Sequence, residues 1–225
     1  MASKRNAANA QIANRTEGHQ PIEEAIRILK SFKGPRFDQT VEVCVHLGID
    51  PRHADQQLRG SISMPKGVGR TSRVICFCPA EQAEAAREAG ATEAGADDLI
   101  EKIQKGWMEF DVAVAAPEMM RQVSKLGRTL GPKGLMPSPK TGTVTKDVVN
   151  AVREFTAGKL EFRNDDGGNL HCIIGKMSFG DDDLILNFQH FISHIEKIKP
   201  ASAKGQYVKK CVVCGTMTPS IQVAL

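Results

Sequence analysis

The residue types best suited to metal chemistry in this sequence are its cysteines, and one pair has a suggestive spacing. Cys211 and Cys214 stand three positions apart, as in one half of a zinc site. A structural zinc site needs four ligands, and no second pair occurs at ligand spacing. The surrounding pattern predicts a strand, on which positions 211 and 214 point to opposite faces. We therefore interpret both as packed strand cysteines and predict no metal.

The histidines and aspartates offer no better catalytic arrangement. His190 and His194 are one helical turn apart, but no glutamate stands in the metalloprotease order. The aspartates at 181–183 open a predicted helix, where carboxylates complement the helix dipole. No glycine-rich phosphate-binding motif follows the apolar strand that starts at Arg73. The sequence therefore predicts neither an enzyme nor a bound cofactor.

The stretch Leu130–Thr145 is predicted to be a long, shaped loop, because it holds three prolines and three glycines. Proline lacks the backbone N–H and glycine costs excess backbone entropy, so neither a helix nor a central strand tolerates that density. Between Met119 and Lys146 there are six cations and no carboxylate. Long ordered loops are usually functional, so an anionic partner such as a phosphate backbone is the first expectation. The cations are Arg121, Lys125, Arg128, Lys133, Lys140 and Lys146.

A second candidate surface consists of polar and basic residues on predicted strands. Gln39–Leu47 alternates between apolar and polar side chains, and Gln206–Met217 is flanked by lysines and ends in Gly-Thr-Met. The alternation of the strand, continued back to residue 37, points the Phe37 side chain into the core. Phe37 is therefore exposed only if the backbone bends at the start of the strand. RNA is recognised through shape, sugar hydroxyls and phosphates as much as through bases, so few aromatic residues are needed. These residues have two interpretations at this point, an RNA-binding surface or an ordinary solvated surface. The residues concerned are Arg36, Phe37, Thr40, Glu42, Arg163, His171, Lys176, Lys204, Lys210, Thr216 and Met217.

The two ends of the chain differ in pattern from the middle. From Arg73 to Ala157 short apolar strands alternate with helices, which is typical of a parallel sheet covered on both faces. We therefore predict an α/β fold of two domains, an α+β split-sheet domain from both termini and an inserted Rossmann-like three-layer α/β domain. The predicted limits are 1–67 with 159–225, and 68–158. A hinge is expected near Gly67 and Lys159, where the chain crosses between the domains.

Several local predictions are specific enough to check against a structure. Residues 1–18 are polar and are predicted to be frayed. Asp50-Pro51 is predicted to open a short helix that reaches Leu58. The remaining local predictions are a helix at Pro117–Leu126, a hairpin of Lys159–Arg163 with Asn169–Ile174, and an irregular tail at 218–225.

Targeting signals are not found. Residues 1–18 lack the apolar core of a signal peptide, and no run reaches the roughly 20 apolar residues of a membrane span. The six cysteines are therefore expected to be free thiols in a reducing compartment. We predict a cytoplasmic protein without a membrane partner.

Four stretches together resemble the bacterial ribosomal protein L1 family of the large subunit. They are Leu47–Gly60, the loop Leu130–Thr145, Phe162–Asp165 with His171 and Gly175-Lys176, and Ala203–Lys210. Long motifs in the right order are specific, and the resemblance covers nearly the whole chain. One departure is Thr218, because the family usually has glycine after the Thr-Met pair. Cys211 and Cys214 also lie outside the family pattern.

The resemblance implies a two-domain protein of the ribosome that binds large-subunit rRNA through the two-ended domain. It also implies a mobile stalk beside the tRNA exit site, release of deacylated tRNA, and translational repression through the protein's own operon mRNA. The loop cations Arg128, Lys133 and Lys140 are then expected to face passing tRNA or the interdomain cleft. The rRNA-contacting positions that the resemblance implies are Arg36, Phe37, Thr40, Glu42, His171, Lys176, Lys210, Thr216 and Met217.

Two alternatives stay open at this point. One is an enzyme that binds a phosphorylated small molecule in the α/β domain, with the proline-rich loop as a lid. The other is an mRNA repressor that shares the same RNA-binding surface but is not incorporated into the ribosome.

Overall fold

A computed structural model describes residues 4–15 and 18–225 of the chain. It contains helices and three separate sheets, which confirms the predicted α/β fold class. The helices are α1 (Lys4–Arg15), α2 (Ile22–Ser31), α3 (Ala80–Glu88), α4 (Asp97–Gln104), α5 (Met120–Val123), α6 (Gly127–Leu130), α7 (Val148–Thr156) and α8 (Asp181–Lys197). The strands are β1 (Thr40–Leu47), β2 (Arg59–Ser63), β3 (Val74–Phe77), β4 (Glu93–Gly95), β5 (Val112–Ala115), β6 (Lys159–Arg163), β7 (Asn169–Lys176), β8 (Val208–Gly215) and β9 (Ile221–Val223).

The chain divides into two compact units. The terminal unit comprises Met1–Gly69 and Phe162–Leu225, and the inserted unit comprises Arg70–Glu161. Within the described residues, no helix is long and apolar enough to cross a membrane.

The terminal unit is built on a four-stranded antiparallel sheet with the order β7-β1-β8-β9. Strand β1 alternates as its sequence predicts, with the valines at 41, 43 and 45 fully buried and the intervening polar residues half-buried. Helix α2 lies against β8 and β9, and α8 lies against β7. These helices bury apolar stripes such as Ile26, Leu29 and Phe191. The helices therefore cover the apolar face of the sheet and leave the polar face of β1 uncovered by them.

The inserted unit contains a three-stranded parallel sheet with the order β4-β3-β5. All four residues of β3 are buried, as expected for the central strand of a sheet covered on both faces. Asp147 caps α7, because its carboxylate accepts the Asn150 backbone N–H at 3.1 Å. Phe155 from that helix is fully buried in the core beside β3 and β5.

The proline-rich loop is an ordered part of the inserted unit. Thr143 accepts the Ser138 backbone N–H at 2.8 Å, and its hydroxyl lies 2.9 Å from that of the buried Thr141. The loop then runs beside β5, where the Ala115 N–H donates to the Thr143 carbonyl at 2.8 Å. Gly142 has φ +70°, which a residue with a side chain rarely adopts. The loop thus completes the edge of the parallel sheet.

Two predicted helices are wrong in detail. Asp50–Leu58 forms turns, because polar side chains satisfy its backbone locally. The Asp50 backbone N–H donates to the Gln56 side chain at 2.8 Å, and the Arg52 N–H donates to the Asp50 carboxylate at 3.0 Å. The stretch predicted as one helix from Pro117 is broken into 3₁₀ turns around the four-residue α5.

The predicted hairpin of Lys159–Arg163 with Asn169–Ile174 is observed only at its turn, where an antiparallel bridge joins Asn164 to Leu170, because the two strands belong to different sheets. Strand β6 pairs with β2, whereas β7 pairs with β1. The turn between them does close, since the Asp165 N–H donates to the Asn169 carbonyl at 2.9 Å. The buried Asn164 exchanges hydrogen bonds with the Leu58 backbone at 2.8 and 3.0 Å, which directs β6 towards β2.

Both chain ends are more regular than predicted. The tail contains β9, which pairs with β8 and is bridged on its other side by Gln20. Residues 4–15 form α1 instead of a frayed segment, whereas residues 1–3 and 16–17 lie outside the described residues. Asn9 fixes this helix, because its buried side chain exchanges hydrogen bonds with the Lys33 backbone at 2.9 and 3.0 Å.

Candidate nucleic-acid interface

A hydrogen-bonded cluster lies at one end of the four-stranded sheet, where β1 begins. The Thr40 N–H donates to the Thr216 hydroxyl at 3.1 Å, and the Thr216 N–H donates to the Thr40 carbonyl at 3.1 Å. The Lys176 ammonium donates to the Thr40 hydroxyl at 2.7 Å. These residues are 136 and 176 positions apart in sequence. The fold therefore brings three of the predicted residues together.

Gln39 supports this cluster from beneath. It is only 3% exposed, and its side-chain carbonyl accepts the Met217 N–H at 2.9 Å. Its backbone carbonyl accepts the Met177 N–H at 2.9 Å. Gln39 is not among the residues predicted from the sequence, because a single glutamine before a strand carries no signal for such a role.

Thr218 fits the turn that follows β8. The Gly215 N–H donates to the Thr218 hydroxyl at 2.9 Å, and the Thr218 N–H donates back to the Gly215 carbonyl at 3.1 Å. Among the described residues, none other than glycine has a positive φ, so Thr218 needs no glycine-like conformation. Threonine at this position therefore holds the Thr216-Met217 turn through its side chain.

Phe37 and Met217 are large apolar side chains on the surface of this end of the sheet. Phe37 is 50% exposed and Met217 is 51% exposed. The backbone bends at residues 36 and 37, which provides the bend that the exposure of Phe37 requires. Arg36 beside it is exposed as well.

The polar face continues along the sheet as rows of directly opposed residues. Glu42 lies between Ile173 and Cys214, and Cys44 lies between His171 and Val212. The next row contains the predicted cation Lys210, which is exposed and opposes His46. His46 Nδ1 is 2.9 Å from the Asn169 side-chain oxygen on its other side.

The thiols on this face are weakly acidic. Burial, followed by the charge of Asp165, raises the pKa of Cys44, and burial raises the pKa of Cys214. On the opposite, buried face of the sheet, burial raises the pKa of Cys172 and of Cys211 to about 12. All six cysteines are free, and the described residues contain no cluster of metal-ligating side chains. The face therefore presents neutral thiols at neutral pH.

Asp165 organises the turn that leads into β7. Its carboxylate accepts the Asn169 side-chain and backbone N–H groups at 2.9 and 2.7 Å, and the Gly167 N–H at 2.9 Å. These bonds, the Asn169 side chain first, lower the pKa of Asp165. The predicted residue His171 lies near this turn, with Nε2 3.8 Å from the carboxylate.

The remaining predicted residues belong to other elements of the two units. Arg163 is exposed on β6, in the two-stranded sheet, and Lys204 is exposed in the turn before β8. The loop cations Arg128, Lys133 and Lys140 are exposed on the inserted unit.

The two predicted hinge residues, Gly67 and Lys159, each contact side chains near them in the structure. Gly67 has φ +65°, and its carbonyl accepts from the buried side chain of Asn187 at 2.9 Å. The Lys159 ammonium lies 2.7 Å from the Glu154 carboxylate and 5.3 Å from the centroid of the Phe155 ring.

This surface can donate hydrogen bonds, neutralise phosphates and contact apolar ring faces. The hydroxyl of Thr216 and the ammonium of Lys176 both bind Thr40. The Cys44 thiol lies 3.9 Å from His171 Nε2, and burial raises the pKa of this thiol. A polar sheet face with cations and exposed apolar anchors is typical of a nucleic-acid-binding module.

Comparisons with known proteins agree with that class. A profile of the Ribosomal protein L1p/L10e family matches residues 29–219. A large ribosomal subunit protein uL1 from a Nocardioides species is 51% identical over 221 residues, which cover 98% of this chain and 92% of that protein. The uL1 protein of Cutibacterium acnes is 49% identical over 98% of this chain and 95% of its own length. The chain therefore belongs to the Ribosomal protein L1p/L10e family.

Family membership confirms the resemblance drawn from four sequence stretches. Because the relatives are ribosomal proteins by name, it also confirms the prediction of a protein that is not an enzyme.

Proposed function

We propose that this protein is a structural constituent of the large ribosomal subunit, in the cytoplasm, and binds large-subunit rRNA through its four-stranded sheet. The relatives above are large-subunit ribosomal proteins by name. The observation that carries the proposal is the cluster of Thr40, Lys176 and Thr216 beside the exposed Phe37 and Met217. A hydrogen-bonded, rigid platform of this kind suits docking onto folded RNA.

Each part of the platform has a distinct role in the proposed complex. Lys176 and Lys210 neutralise phosphates, which makes the affinity depend on salt. The Thr216 hydroxyl and the carboxylate of Glu42 bond base amines or sugar 2′-hydroxyls, and the 2′-hydroxyl distinguishes RNA from DNA. Phe37 and Met217 contact ribose or base faces. The remaining proposed contacts are Arg36, Arg163, His171 and Lys204.

A mobile stalk beside the tRNA exit site is a finer part of the proposal. The proposed domains are 1–67 with 159–225, and 68–158, joined by a hinge at Gly67 and Lys159. The hydrogen bond from Asn187 to the Gly67 carbonyl supports a fixed end for the hinge within the terminal unit. Arg128, Lys133 and Lys140 would then meet exit-site tRNA and assist release of deacylated tRNA.

Repression of the protein's own operon mRNA is a further part of the proposal. The same sheet surface would recognise an mRNA fold that resembles the rRNA site, because shape and phosphate positions carry RNA recognition. Binding to rRNA and to mRNA would then exclude each other.

The experiment is a filter-binding titration with the rRNA stalk fragment. Phe37→Ala and Thr216→Val should each weaken binding about tenfold, because an interface contact of this kind contributes about 1.4 kcal/mol. Leu186→Ala is the matched control for Phe37→Ala, since Leu186 is 42% exposed but lies on α8. Thr129→Val, an exposed threonine of the inserted unit, matches Thr216→Val. Wild-type affinity of both interface variants would refute the proposed surface.

A further inference from the structure

Arg5 of helix α1 lies next to the sheet-end cluster. The guanidinium of Arg5 lies beside the exposed Met217, with Nη2 3.8 Å from the thioether sulfur. Sulfur is a weak hydrogen-bond acceptor, so this contact leaves the donor capacity of the guanidinium largely unused. The buried Arg5 Nε has no hydrogen-bond partner among the described residues.

The position of Arg5 is set by the rest of the helix. The buried Asn9, one turn further along α1, exchanges two hydrogen bonds with the Lys33 backbone. A buried amide that satisfies both an N–H and a carbonyl orients a helix firmly. The bonds of Asn9 therefore fix the helix in the position that places Arg5 beside Met217.

A groove runs beside this arginine. It encloses about 490 Å³ and is lined by Arg5, Asn6, Met217, Thr218 and Pro219. The volume falls within the range of sites for small ligands, and it is large enough for one nucleotide. The groove adjoins the turn of Thr216-Met217, so it continues the surface proposed above for rRNA.

The charges at the groove point to a phosphate. Arg5 is a permanent cation with a planar fork of donors that matches phosphate oxygens. Among the described residues that line the groove, Arg5 is the one with a charge, and none carries a carboxylate that would compete for the guanidinium. An apolar floor with one cation at its edge suits a ribose with its phosphate.

We infer that Arg5 of α1 binds a phosphate of the RNA, with the attached nucleotide in the groove beside Met217. This inference rests on the proposed rRNA-binding function and extends the surface to a helix outside the segment matched by the family profile, 29–219. Arg5 gives no sequence signal for this role, because it stands in a polar segment without an amphipathic pattern.

The test is a filter-binding titration of the full chain against the rRNA stalk fragment at several salt concentrations. Arg5→Gln should weaken binding about tenfold and reduce the slope of log K against log salt by about 0.7–0.9, the loss of one phosphate contact. Arg5→Lys keeps the charge and should retain the slope with an intermediate affinity. Lys197→Gln, which removes an exposed cation at the end of α8, should change neither.

Thr216→Val, measured in parallel, separates the two hypotheses. If it weakens binding while Arg5→Gln keeps the wild-type affinity and slope, the role of Arg5 is refuted and the proposed function stands. If Arg5→Gln weakens binding without changing the slope, the phosphate contact is refuted. If no variant weakens binding, the proposed function itself fails.

Discussion

Replacing Gln39 with methionine should damage the sheet-end cluster from beneath. Methionine has a similar length and no hydrogen-bond acceptor of comparable strength. The Met217 N–H, which now donates to the Gln39 side chain at 2.9 Å, would lose its partner. A buried donor left unpaired costs about 1–3 kcal/mol, and the partial exposure of Met217 places the cost near the lower end.

The expected loss of stability is therefore about 1–1.5 kcal/mol, partly offset by the apolar methionine in a site that is 3% exposed. Affinity for rRNA should fall by up to about tenfold, because the turn that presents Thr216 and Met217 loosens. Urea unfolding followed by circular dichroism measures the first effect, and filter binding measures the second. The transition of each unit should be fitted separately, since two compact units need not unfold together.

Gln122→Met is the matched control. The side-chain oxygen of Gln122 is buried and accepts no hydrogen bond from the described residues, so its loss should leave stability unchanged or improve it. If Gln39→Met unfolds at the wild-type urea concentration and binds rRNA normally, the role assigned to Gln39 is wrong. An equal loss in both variants would show that the methionine substitution itself is harmful.

Three further predictions concern the terminal unit. Bound rRNA should protect Cys44 and Cys214 from alkylation. Without RNA their alkylation should be slow at neutral pH and accelerate above pH 9, because burial raises the pKa of both thiols. Equal labelling with and without RNA, measured by mass spectrometry, would contradict the proposed RNA-binding face. Asn187→Leu should destabilise the terminal unit by about 2–4 kcal/mol, because the buried amide bonds the backbone of Lys66, Gly67 and Ile174; urea unfolding at the wild-type midpoint would refute this. Asp165→Asn should be less stable than wild type at pH 7, and the difference should vanish in acid unfolding experiments. The pKa of Asp165 is lowered in the folded protein, so its stabilisation is present above the ordinary carboxyl pKa and is lost as the pH falls through the folded value.

Local sequence patterns determined much of the secondary structure. The alternation of Gln39–Leu47 predicted a half-buried strand, and β1 occupies Thr40–Leu47. Helix α4 (Asp97–Gln104) lies between Arg73 and Ala157, where the sequence predicted strands that alternate with helices. Periodicity predicts these elements because each buries one face against a core. That burial requires apolar residues at regular spacing, which is visible in a short stretch of sequence.

Elements without such a pattern were missed. Strand β9 has only three residues, which is too short for alternation to be read, and it forms because β8 offers a free edge. Helix α1 has a polar sequence, and the buried side chain of Asn9 bonds it to the backbone of Lys33. The turns at Asp50–Leu58 arise from side-chain to backbone bonds that compete with a helix.

The sequence by itself determined the family, the α/β class and the types of residue offered to RNA, because long motifs and periodicity are local properties. Only the tertiary structure decided which of those residues meet. Strand order β7-β1-β8 joins Thr40 to Lys176 and Thr216, although 136 and 176 positions separate them in sequence. Strand pairing over such sequence distances depends on the packing of the whole sheet, so it cannot be predicted from the residues next to each strand. The same packing placed Gln39 beneath the cluster and Arg5 beside it.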